Sequence, residues 1–163
     1  VVSDAALRDR AWAAAASVVD PELPALTIAD LGVLRDVTVT DDGVEVAITP
    51  TYSGCPAMRM IALDIVAALE RAGIAGGRVR TILSPAWTTA WMSAEARRKL
   101  AADGIAPPLE GAGRGALFGA AVPACPRCGS MATERLAEFG STACKALWRC
   151  TACREPFDHF KCH

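Results

Sequence analysis

Cys125-Pro126-Arg127-Cys128 and Cys150-Thr151-Ala152-Cys153 are two CxxC pairs with 21 residues between them. A CxxC turn points two thiolates at one centre, and two such turns supply the tetrahedral four-sulfur shell that zinc or a single iron prefers. Buried cysteines that hold no ion would not need two matched turns in so short a segment. The spacing therefore predicts a metal site on Cys125, Cys128, Cys150 and Cys153, with structural zinc as its ion. Arg127, Arg149 and Arg154 each adjoin a ligand. Four thiolates around a divalent cation leave a net negative charge, so these arginines read as its counterweight rather than as a phosphate-binding patch.

Cys55 stands apart as the sole cysteine of residues 1–124. It precedes Pro56 and a run in which Met58, Ile61, Ile65, Ala68 and Leu69 recur at helical spacing. Proline suits the first helical position, which makes Cys55 the expected N-cap. The helix dipole and free N–H groups there lower a thiol's pKa and make it a nucleophile or a ligand for soft metals. A small buried hydrophobe that happens to begin a helix is the plainer alternative.

The same stretch of residues 1–124 contains no histidine, which weakens a cysteine-hydrolase reading. Asp20 and Glu22 form a short acidic loop, with ordinary turn chemistry as the competing explanation. Once the CxxC pairs are assigned, Cys144, Cys162 and His163 are left over. A second, open metal site, a Cys144–Cys162 redox pair and merely tolerated thiols all stay open for them.

The elements that must position these residues follow from periodicity. Ser3 and Asp4 cap a helix over residues 4–19 that Pro21 ends. Asp20-Pro21-Glu22-Leu23-Pro24 holds two prolines and reads as a rigid, exposed loop. Val37 and Val39, then Val44, Val46 and Ile48, alternate with polar or small neighbours around Asp41-Asp42-Gly43, the pattern of a hairpin. A helix over 56–71, a strand over 78–84 and a helix from Ser93 to about Ala102, stopped by Gly104, complete the set. The order predicts an α+β fold, a compact helix and three-strand sandwich, with its third strand parallel through the 56–71 crossover. Residues 1–104 form this domain, 105–124 a Pro- and Gly-rich linker and 125–163 a small zinc ribbon. Trp87 and Trp91 suit core packing more than a docking surface.

Composition narrows the class. The chain is 52% hydrophobic and 21% charged with a net charge of −1, so neither nucleic-acid nor membrane attraction follows from charge. Residues 125–163 are mildly basic, with 6 Lys and Arg against 4 Asp and Glu. An odd cysteine count with one thiol in the main domain favours a reducing compartment, and no apolar run reaches the roughly 20 residues of a membrane span. The cytoplasm is the expected location.

Several segments coincide with one family. The 20–24 loop, Asp30-Leu31-Gly32 and the Thr51-Tyr52-Ser53-Gly54-Cys55-Pro56 turn resemble SufT-type iron-sulfur cluster assembly factors. Ser84-Pro85-Ala86-Trp87-Thr88-Thr89, Gly104-Ile105-Ala106-Pro107-Pro108, the Phe139-to-Lys145 run and the Phe157-to-His163 tail are similar to that family's PaaD branch, accessory proteins of bacterial phenylacetyl-CoA epoxidase systems. The resemblance implies a non-enzymatic role in maturing an iron-sulfur centre, with the ferredoxin-type reductase subunit PaaE as client and a transient iron ion or cluster as cargo. It places the reactive cysteine at Cys55 and the acidic loop at Asp20 and Glu22. A homodimer sharing a cluster is compatible with it. A nucleic-acid-binding ribbon protein and a rubredoxin-like electron carrier are the rival readings.

Overall fold

The computed structural model describes residues 3–109 and 122–161, which belong to two compact units, Val1–Trp87 and Thr88–His163. In the first, Ser3 Oγ accepts from Ala6 N and starts α1 (Asp4–Ala16). The helix stops three residues short of the expected 19, because Ser17 turns both its N–H and its hydroxyl onto Ala14 O. Val19 then forms an isolated antiparallel bridge with Thr27. β1 (Leu34–Thr40) and β2 (Gly43–Ile48) form the expected hairpin, with Thr40 opposite Gly43 and Val37 opposite Val46. Gly43 has φ 135° and its missing Cβ would lie 2.8 Å from Gly76 O, so a side chain there is excluded twice over.

α2 (Ala57–Arg71) crosses over to β3 (Arg78–Thr81), which lies parallel to β2 in a sheet of order β1-β2-β3. The strand is shorter than the expected 78–84, although Ile82 N still donates to Ile48 O. α1 packs on β1 and on α2, and α2 on β3. Ile61, Ile65 and Leu69 from α2 and Val37, Val46 and Ile48 from the sheet are all closed to water. Arg8 joins α1 to β1 by donating to Val37 O and pairing with Asp36 at 3.0 Å, which holds the Asp36 carboxyl below its ordinary range.

The 20–24 loop differs from the exposed loop that its prolines suggest. Asp20 and Leu23 are buried, while Pro21 and Pro24 face solvent. Asp20 Oδ1 accepts from both Glu22 N and Leu23 N at 2.8 Å, and Asp20 N donates to Leu26 O. The carboxylate thus answers the backbone donors that the turn leaves over, and Leu23 anchors it in the core. Trp87 is also core, its Nε1–H donating to Leu31 O at 2.8 Å.

In the second unit, Ser93 Oγ accepts from Ala96 N and caps α3 (Ala94–Ala102), which follows a 3-10 turn over Thr89–Trp91. β4 (Ile105–Ala106), β5 (Thr133–Ala137), β6 (Lys145–Cys150) and β7 (Pro156–Phe160) make a sheet of order β4-β7-β6-β5. Here the structural division departs from the boundary after residue 104. β4 comes from the expected linker but pairs in parallel with β7, and Arg97 ties α3 to Pro108 O and Thr89 O. Residues 110–121 of the expected linker lie outside the described residues, as do Cys162 and His163. The α+β architecture with an appended ribbon is borne out. No helix among the described residues is long and apolar enough to cross a membrane.

Candidate metal centre and thiol site

Each CxxC turn is a closed loop with one residue in the left-handed region. Cys125 N donates to Ser130 O and Gly129 N to Cys125 O, both at 2.9 Å, with Gly129 at φ 73°. Cys150 N donates to Glu155 O at 3.0 Å, with Arg154 at φ 68° in the position matching Gly129. The first turn uses glycine for that conformation and the second strains an arginine into it.

The two loops bring four sulfurs together. Cys125 Sγ lies 3.7 Å from Cys153 Sγ, Cys128 Sγ lies 3.6 Å from Cys150 Sγ, and all four ligand atoms fall within 4.8 Å of one another. Zinc-sulfur bonds of about 2.3 Å in a tetrahedron require sulfurs about 3.8 Å apart, so the donor set fits a tetrahedral thiophilic ion. The thiols are incompatible as four anions without a cation. The Cys150 thiol is lowered to about 6, first by the N–H of Cys153. The Cys153 thiol is pushed up to about 12: the Glu155 N–H pulls it down, but desolvation and the thiols of Cys150, Cys128 and Cys125 outweigh it. An ion removes that conflict by replacing the protons.

The arginine expectation needs amendment. Arg149 is paired with Glu134 across the β5–β6 ladder and Arg127 with Glu155 at 3.6 Å, so two of the three already have carboxylate partners.

Cys55 lies at the start of α2, one position further out than an N-cap. Pro56 occupies the cap with helical φ −67° and ψ −23°, Cys55 N donates to Tyr52 O and Met58 N to Cys55 O. The expectation of a thiol activated by the dipole does not hold. Burial raises the half-buried thiol; the N–H of Ala57 opposes it, Glu22 adds to the rise, Tyr52 lowers it and Asp20 raises it again. Local geometry pulls one way, and desolvation with two carboxylates from the 20–24 loop prevails. The structure thus brings Asp20 and Glu22 into electrostatic range of Cys55. Among the described residues, however, the one group of three or more donors close enough to hold an ion is the cysteine tetrad.

Cys144 is buried with Thr142 Oγ1 3.0 Å from its sulfur, outside the tetrad, and its expected companions Cys162 and His163 lie outside the described residues. Sequence reasoning named the buried His159 only as a distant partner for a Cys-His pair, and did not single out its neighbour Trp148. Burial lowers the imidazole to about 4, so His159 is neutral near pH 7. Its Nε2 and the Trp148 Nε1 are both buried without a hydrogen-bond partner, and the rings meet edge to face at 6.1 Å. The strand period alone marks both as inward-facing, but nothing in it signals a missing partner.

Fold and site together define a mixed helix-and-sheet domain joined to a ribbon whose four cysteines fit a tetrahedral thiophilic ion. The pattern of the family described as "Iron-sulfur cluster assembly protein" matches residues 8–84, and that of the "PaaD zinc beta ribbon domain" matches 112–161. A protein of Escherichia coli (strain K12) named as a component of 1,2-phenylacetyl-CoA epoxidase is 49% identical over 154 residues, covering 93% of this chain and 90% of that one. The chain belongs to this PaaD family. The Fe-S protein maturation auxiliary factor YitW of Bacillus subtilis (strain 168) is 33% identical over 56% of the chain and 91% of its own length. A solved structure of a domain of unknown function, DUF59, from Bacillus anthracis superposes with a TM-score of 0.55 at 28% identity, covering 60% of this chain and 93% of that one.

Proposed function

We propose that this protein is a non-catalytic maturation factor that serves the iron-sulfur centre of a phenylacetyl-CoA epoxidase system in the cytoplasm, with the ferredoxin-type reductase subunit PaaE as its client. The E. coli relative named for the epoxidase supports the system, and the assembly-family match supports the chemistry. The observation that carries the reading is the position of Cys55: half-buried at the start of α2, beside the loop that bears Asp20 and Glu22. In this role Cys55 is a transient ligand for iron or a cluster as cargo, and Glu22 supplies negative charge that favours an approaching cation. Asp20, whose Oδ1 is committed to two backbone N–H groups, holds the loop in place. A soft cation is held by a thiol only after the proton leaves. A thiol whose neutral form is favoured therefore holds its cargo weakly, as transfer requires.

The tetrad's ion is structural in this reading, with zinc as the metal; it organises the ribbon as a surface for the client. Co-expression of the reductase with Cys55→Ser protein tests the reading. The expected result is normal folding and one tightly held ion per chain, together with a reductase that lacks its visible cluster absorption. A fully loaded reductase would sink it. The same preparation decides the ion, because iron-thiolate sites absorb visible light and zinc sites do not.

A further inference from the structure

The β6–β7 ladder carries a second set of soft donors away from the tetrad. Ala146 lies opposite His159, and the antiparallel pairing continues to Lys161 N, which donates to Cys144 O at 2.9 Å. Cys144 and Ala146 are two residues apart and share a face, so Cys144 and His159 are diagonal neighbours on that face. Cys144 is 2% exposed and His159 8%. Cys144 adjoins the start of β6 and Cys150 ends it, which puts the tetrad about 20 Å from Cys144.

Two buried ring nitrogens on this face are unanswered. His159 Nε2 is shut off from water without a partner, and so is the neighbouring Trp148 Nε1. A buried polar group costs stability unless something binds it. A neutral imidazole nitrogen diagonal to a buried thiol on one face of a ladder is a donor pair suited to zinc, iron(II) or cobalt(II). Thr142 Oγ1, 3.0 Å from Cys144 Sγ, is placed to orient the sulfur, as the outer hydrogen bonds of metal sites do. An oxygen carried by such an ion can in turn accept from the Trp148 N–H.

We propose that Cys144 and His159 are ligands of a second site for a thiophilic divalent ion, at the end of the ribbon sheet away from the tetrad. Binding exchanges the Cys144 thiol proton for the metal-sulfur bond and releases that proton to solvent. The proposal is independent of the role assigned to Cys55.

The test uses the full chain, reduced and anaerobic, loaded with one equivalent of zinc and then titrated with cobalt(II). The expected result is a second bound equivalent with a thiolate-to-cobalt charge-transfer band. Cys144→Ser abolishes that band, and His159→Gln weakens the second binding at least about tenfold. Both variants keep the first zinc and the wild-type circular dichroism, which separates loss of a ligand from loss of fold. Saturation of the wild type at one equivalent overturns the proposal. So does a second equivalent bound equally well by both variants, or peptide mapping that finds Cys144 in a disulfide in freshly isolated protein.

Discussion

In the N-terminal unit Leu26, Ile28, Val46, Ile48, Ile61, Ile65 and Leu69 are closed to water and come from a loop, a sheet and a helix. The ribbon's apolar cluster is Ala106, Cys125, Ala146, Trp148, Cys150 and Phe157, two of which belong to the cysteine tetrad. A core of the first kind carries a fold by burial; one of the second kind is too small and depends on its ion. The difference extends to cysteine chemistry. The ribbon packs four sulfurs against one another until only a cation satisfies them, whereas the N-terminal unit keeps one thiol neutral through burial and nearby carboxylates.

Removing the tetrad ion is the severest way to break the comparison. Structural zinc contributes on the order of 10 kcal/mol to folding in small zinc domains. Chelation, or Cys150→Ser, should therefore abolish amide protection in β5, β6 and β7 while β1, β2 and β3 keep theirs. Hydrogen exchange read by mass spectrometry checks this, and joint loss of both sets would show that the units do not stand independently.

The converse change sits in the apolar core. Ile65→Ala, at a fully buried position of α2, should cost about 2–5 kcal/mol in the N-terminal unit. Zinc content should stay unchanged. Denaturant melts combined with metal analysis decide it.

A smaller change sharpens the contrast in thiol chemistry. Glu22→Gln removes the larger of the two carboxylate contributions that raise Cys55. The thiolate is then favoured more, so the pH profile of iodoacetamide alkylation at Cys55 should move to lower pH. A profile that stays in place, or moves up, would remove Glu22 from the site.

The smallest effect concerns the asymmetry between the two metal turns. Arg154 holds φ 68° where the first turn has Gly129 at 73°, and a non-glycine residue in that region costs about 1 kcal/mol or more. Arg154→Gly should raise the ribbon's stability by up to about 1 kcal/mol, since glycine's added unfolded-state freedom offsets part of the gain. Resistance of the zinc site to a competing chelator measures it.

What the sequence determined by itself was local. CxxC spacing named the four ligands, because a turn of four residues needs no distant partner to aim two thiols. Helical recurrence from Met58 to Leu69 and the alternation of Val37 to Ile48 placed α2 and the hairpin, because backbone period is written in consecutive residues. Tertiary structure decided what depends on separated segments. The Cys55 thiol is raised rather than lowered because burial in the fold, reinforced by Glu22 and Asp20 from far off in the chain, outweighs the helix start. Asp20 and Leu23 are interior, although two prolines mark a surface loop, because Leu23 has a core to enter. β4 joins the ribbon because β7, some fifty residues later, offers it an edge. His159 Nε2 lacks a hydrogen-bond partner for the same reason: a strand pattern says which way a side chain faces, and only the packed fold says whether a donor waits there to meet it.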